Sequence, residues 1–180
     1  MRLISQLGVL VLAAMLLTGE ARATDREVIE ARVDLALTEL RAAAPEAAEL
    51  LAEARGVLVM PEVTRAGFVV GGYYGEGALR VDGVTVAYYS VAGGSLGLLA
   101  GVETSSQVML FMTDEALEGF RRADGWEAGA NANVTVLQAG IGRRVDTTVQ
   151  DRPIVAYVFG QQGLMAGVGL DGAKYSRIER

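Results

Sequence analysis

The spacing of apolar positions changes character along the chain. Leu7 to Leu17 (LGVLVLAAMLL) is unbroken and apolar. From Thr24 to Arg55 the apolar residues space out: Ile29, Val33, Ala36, Leu37 and Leu40 fall at i, i+4, i+7, i+8 and i+11, one stripe of an amphipathic helix. Thr24-Asp25-Arg26-Glu27 has the form of a capping box at its start. Pro45 is placed to open a second helix, with Leu50 and Leu51 on its buried side and Gly56 at its end. The polar positions Asp25, Glu30, Asp34, Glu39, Glu46 and Glu49 read as solvated faces.

After Gly56 the pattern becomes strand-like. Val57-Leu58-Val59-Met60 is a short apolar run that Pro61 is expected to stop. Gly67 to Tyr73, Val84 to Val91, Val108 to Met112, Asn133 to Gln138, Ile154 to Phe159 and Leu164 to Leu170 follow as further strand candidates. Asp82-Gly83 between β-branched segments is a two-residue hairpin signal. Gly75 and Gly77 read as part of a tight turn, GYYGEG. Val108 to Met112 is apolar at every position, so both of its faces should be covered. Thr113 then caps a predicted helix over Asp114 to Arg122, with Leu117 and Phe120 inward. The fold class expected is α+β: a strongly curved, mostly antiparallel, barrel-like sheet packed by the N-terminal helices and one mid-chain helix.

Composition adds a compartment. Arg2, the eleven-residue apolar core and Ala21-Arg22-Ala23 form a secretory signal with cleavage expected after residue 23. The apolar run is too short to span a bilayer, which takes about 20 residues. The chain has no Cys, so neither a lipoprotein anchor nor a disulfide is expected. The organisation expected is a cleaved signal at 1–23 and one domain at 24–180, helical over 24–55 and mainly strands over 56–180. Losing one acid and two arginines with the signal moves the net charge from −6 to −7. That balance argues against nucleic-acid binding, which relies on phosphate neutralisation. The expected location is the periplasm, in soluble form.

Candidate chemistry is sparse. The chain has no histidine, so no imidazole is present to serve as a base at neutral pH. Gly93-Gly94-Ser95-Leu96-Gly97 matches the hydrolase elbow G-x-S-x-G, but no histidine exists to activate Ser95 and the surroundings are strand-like. Gly167 to Lys174 lacks the Gly-Lys-Ser/Thr of a phosphate loop. Glu76, Glu103, Asp114, Glu115, Asp146, Asp151 and Asp171 lie near expected turns, and no spacing singles out a glycosidase-type pair. No enzyme activity, cofactor or metal is expected. Two adjacent basic pairs, Arg121-Arg122 and Arg143-Arg144, are candidates for gripping a lipid headgroup. Solvated surface is the plainer reading of both: Arg121 and Arg122 fall in a last helical turn, where cations complement the dipole, and Arg143 and Arg144 in an expected exposed loop.

Three blocks in order carry a resemblance. Gly56-Val-Leu-Val-Met-Pro61 with Ala66-Gly-Phe-Val-Val-Gly-Gly72 and Gly75-Glu-Gly77 resembles the opening of SYLF domains. Gly93 to Gly97 with Gly101, Val108 to Met112 and the Thr113 to Phe120 helix resembles their middle. Tyr157 with Gly163 to Gly172 resembles their closing block. The resemblance implies the α+β fold above and lipid binding. In endocytic members it implies phosphoinositide binding and, in the yeast branch, actin bundling. Bacterial members are commonly exported and described as lipid-binding. Residues 24–55 hold eight acids and four arginines, unlike the basic N-terminal segment of animal members, and actin is not an expected partner. The expected function is therefore a non-catalytic lipid-binding domain of the bacterial envelope, with a phospholipid or membrane surface as partner. A periplasmic structural or protein-interaction module is the alternative. A small outer-membrane barrel is disfavoured, because it leaves no place for amphipathic helices.

Overall fold

The first helix, α1, runs over residues 25–43 and buries the stripe expected of it: Ile29, Val33, Ala36, Leu37 and Leu40. These positions comes from a computed structural model that describes residues 25–138, 152–162, 170 and 172–180. Thr24 of the expected capping box lies outside them, as do most of the strand expected at 164–170 and both Arg143 and Arg144. Pro45 sits in a turn, and the second helix, α2, starts two residues later than its position suggests, over Ala47–Glu53. The backbone bonds from Ala47 N–H to Ala44 O (2.9 Å) and from Ala48 N–H to Pro45 O (3.2 Å) tighten that entry.

The separate strand candidates between Gly56 and Phe111 are in fact two very long strands. β1 (Gly56–Val81) and β2 (Val84–Phe111) pair antiparallel from Gly56 opposite Phe111 to Val81 opposite Val84. The Asp82-Gly83 turn joins them as expected, with both residues at positive φ (51° and 77°), the backbone a tight hairpin turn requires. Pro61 does not end the first strand. The register shifts between Met60 and Val63, so the residue without an N–H falls in a bulge, and its carbonyl accepts a 2.8 Å bond from Ser106 Oγ.

The remaining elements build on this ribbon. They are α3 (Asp114–Arg122), β3 (Trp126–Glu127), β4 (Thr135–Gln138), β5 (Ile154–Gln162) and β6 (Lys174–Ile178). The upper half of β2 pairs with β5 and its lower half with β6, both antiparallel. β3 extends β6, while β4 joins β5 in parallel. The sheet is curled and mostly antiparallel, and the fold is α+β. Thr113 caps α3, its hydroxyl accepting from Ala116 N–H at 3.2 Å, with Leu117 and Phe120 buried.

Alternation along β2 shows how the sheet is covered. Val108 and Leu110 join Ile29, Val33, Leu37, Leu40, Val155 and Tyr157 in a core beneath the helices. Met109 and Phe111 point the other way, into a second core with Leu117, Phe120, Trp126 and Tyr175. Both faces are dry, as an all-apolar strand demands. Phe120 sits at the centre of the second core, with ring centroids 4.8 Å from Tyr89 and Phe111 and 5.4 Å from Trp126.

Gly75 and Gly77 are not in a turn. Both lie inside β1, where the strand folds back over its own beginning. A Cβ on Gly75 would stand 2.6 Å from the carbonyl oxygen of Glu62, and one on Gly77 would overlap the carbonyl of Val59. Close backbone approach, rather than positive φ, requires glycine here. Gly77→Val is expected to destabilise by about 3 kcal/mol or more, read as a lowered urea midpoint. Leu37→Asp, which puts a charge in the core beneath the helices, should leave no cooperative unfolding transition.

Candidate functional site

Where β1 folds back, its two legs and the start of α1 enclose an open groove of about 720 Å³. One leg supplies Pro61, Glu62, Thr64 and Ala66, and the other supplies Gly72 to Glu76. Asp25, Val28, Ile29 and Arg32 of α1 and the C-terminal residue Arg180 complete it. The volume lies within the roughly 300–1,000 Å³ typical of small-molecule sites.

Its walls are largely apolar, and four of its five charged residues form ion pairs, while Asp25 has no ion-pair partner among the described residues. Arg32 bonds Glu62 at 3.1 Å. Arg180 grips Glu76 with two nitrogens, Nε reaching Oε2 at 3.0 Å, and the Tyr74 hydroxyl donates to the same carboxylate. Burial works against the Glu76 charge, yet the bonds from Tyr74 and Arg180 outweigh it and hold the carboxyl below its ordinary range. Glu76 is thus a C-terminal anchor rather than the solvated turn acid its position suggested. The sequence carried no signal for this, because its partner is over one hundred residues away.

Glu30 departs from expectation in the same way. It sits on the polar side of α1, but the Asp82-Gly83 end of the ribbon reaches it. Arg80 Nη2 and Thr85 Oγ1 donate to Oε2 at 2.7 and 3.0 Å, and the Tyr88 hydroxyl donates to Oε1 at 2.8 Å. Arg80 Nη1 also donates to Asp34 at 2.6 Å. Burial raises the Glu30 pKa, but these bonds together with Arg80's charge leave it below its ordinary value. This network pins α1 to the sheet beside the groove.

Farther along the ribbon, Glu103 is 2% exposed, and neither carboxylate oxygen has a hydrogen-bond partner. Nor does Nε of Arg65, its cross-strand partner, whose guanidinium lies 5.1 Å from the Tyr73 ring centroid. Burial pushes the Tyr157 hydroxyl, also unbonded, up to about 12, with Glu46 adding to the shift.

The sequence candidates map elsewhere. Arg121 and Arg122 are exposed in the last turn of α3, where Arg122 bonds Glu118 at 3.3 Å. Neither lines the groove. The Gly93–Gly97 backbone is strand within β2, paired with β1 through Leu96 and entering a bulge at Gly97, not a strand-to-helix turn. Among the described residues no cluster of three or more His, Cys, Asp or Glu is placed to hold a metal, and no helix is long and apolar enough to cross a membrane.

A family model described as Ysc84, Las17-binding protein actin regulator, matches residues 92–179. The chain belongs to this family, the SYLF family. The SH3 domain-containing YSC84-like protein 1 of Homo sapiens is 34% identical over 134 residues. Its counterparts in Bos taurus and Pongo abelii are 32% identical over 134 residues and 30% over 131. Each match covers 70% of this SYLF chain and 38% of the relative. The SYLF chain therefore spans well under half the length of the relatives it matches.

A carboxyl with a lowered folded pKa contributes stability that is complete above its ordinary value of 4.5 and is lost as the pH falls through the folded value. Glu30→Gln should therefore flatten the acid side of the stability–pH curve measured by urea unfolding. Glu30→Lys, facing Arg80, should destabilise by about 1–3 kcal/mol, whereas Glu39→Lys on the exposed face should change little. Separately, EDTA is expected to leave the melting temperature unchanged, since hard-cation sites need clustered oxygen ligands.

Proposed function

We propose that this SYLF domain is a non-catalytic lipid-binding module of the bacterial envelope, holding part of a phospholipid in the groove between α1 and the folded legs of β1. The observation that carries the reading is the groove itself: an open cleft with Val28, Ile29, Pro61, Ala66, Tyr73 and Tyr74 on its walls and the ion pairs Arg32–Glu62 and Arg180–Glu76 beside Asp25 on its rim. Such a site matches an amphiphile, with apolar length for a chain and polar groups that orient one end. The Arg32–Glu62 pair is exposed, and exposed ion pairs contribute only about 0–1 kcal/mol, so Arg32 can be diverted to a phosphate at little expense. No nucleophile–base pair lines the groove, which supports a binding role over a catalytic one. The N-terminal signal pattern supports export and a periplasmic location.

The test is native mass spectrometry and lipid extraction of protein purified without detergent. Stoichiometric phospholipid is expected, and Thr64→Trp, which fills the groove, should remove it without lowering the melting temperature. A clean apo mass together with no binding to vesicles would sink the proposal. The family description names Las17 binding and actin regulation, which favours a second reading as a protein-interaction module. In-cell crosslinking that captures one recurrent protein partner on lipid-free domain would select it.

A further inference from the structure

The groove opens beside a stretch of the ribbon with unusual chemistry. No charged residue occurs from Ala66 to Gly75 on β1 or from Val84 to Val102 on β2. Arg65 and Glu103, opposite each other in the register, close this stretch at one end. Within it the ribbon turns a corner. A Cβ on Gly67 would overlap Gly71, so the β1 backbone doubles tightly at residues 67–71. On the partner strand, Phe68 pairs with Ala100 and Val70 with Leu96, which leaves residues 97–99 bulged opposite Val69 alone. Large apolar side chains stand out to solvent around the corner: Val70 is 68% exposed, Val102 63% and Tyr74 52%. Ala66, Gly72, Ala92, Gly94 and Gly101 are exposed on the same stretch.

We infer that this charge-free corner is a membrane-contact elbow, which seats on a neutral lipid surface and presents the adjoining groove to it. The inference rests on the lipid-binding reading above. Three observations favour a bilayer over a protein as the occupant. First, the patch is continuous with the groove, since Ala66, Gly72 and Tyr74 belong to both. Second, it lacks the Arg, Asn, Gln and acidic side chains that orient a protein partner, whereas protein interfaces carry about one hydrogen bond per 100–200 Å². Third, Tyr74 stands at its margin with its hydroxyl held by Glu76, an apolar ring with a polar tip of the kind that settles at the bilayer interface. The antiparallel pairing that continues on both sides of the corner satisfies most of its backbone, while the bulge at 97–99 fits the headgroup boundary better than the hydrocarbon core. The net charge of −6 makes attraction to anionic lipid unfavourable, so the apolar corner, not charge, supplies the contact.

The experiment uses vesicles of phosphatidylcholine and phosphatidylethanolamine. Val70→Trp adds a reporter at the corner, while the native Trp126 is buried in the core. The expected results are a blue shift and quenching of the Val70→Trp signal by brominated lipid. The double variant Val70→Asp/Val102→Asp should lose vesicle affinity at least ~10-fold with an unchanged melting temperature. Undiminished vesicle binding by the double variant, with no quenching of the reporter, overturns the elbow and leaves the groove reading standing. Absence of binding to any vesicle, with no lipid co-purified, overturns both. If the aspartates unfold the domain, the reporter decides alone.

Discussion

The architecture depends on one close approach, the passage of the Gly75–Gly77 backbone across the carbonyls of Val59 and Glu62. A ribbon with strands of 26 and 28 residues is far too long to remain flat in a domain of this size. It must fold over itself, and a side chain at the crossing would hold the two legs apart. With hydrogen alone at Gly77, the legs meet backbone to backbone. The curled sheet then offers one face to α1 and α2 and the other to Phe120 and its aromatic neighbours.

Everything of functional interest follows from that crossing. It brings the Arg80 end of the ribbon to the polar side of α1, where Glu30 collects hydrogen bonds from Arg80, Thr85 and Tyr88. It also brings Glu76 to Arg180, tying the C-terminus to the same leg. The groove is the space left between these two ties. The ion pairs of Arg32 with Glu62 and of Arg180 with Glu76 hold its walls in place.

Electrostatics and hydrophobicity divide the surface in a way that bears on membrane contact. Glu27 and Glu39 of α1 are exposed to solvent, whereas the corner at residues 67–71 has no charge at all. An acidic domain of this kind gains nothing from anionic headgroups, so any seat on a bilayer must come from apolar area. The exposed valines and the tyrosine beside the groove are where that area is found.

Periodicity alone determined the buried stripe of α1, the capped helix after Thr113, the Asp82-Gly83 turn and the double coverage of Val108 to Phe111. Each of these is a local matter of spacing or of turn and cap chemistry, and each carries its signal within a few residues. The α+β class and the SYLF resemblance were legible for the same reason, because ordered glycine and apolar blocks run through the chain. Tertiary structure alone decided that the strand candidates fuse into two long strands through Pro61, since a bulge depends on the partner strand that absorbs it. It also decided why Gly75 and Gly77 are glycine, because the colliding carbonyls lie about fifteen residues upstream. The groove was illegible for the same reason. Glu30 and Glu76 look like ordinary surface acids until folding brings Arg80 and Arg180 to them, and hydrophobic spacing carries no record of which distant cation a carboxylate will meet.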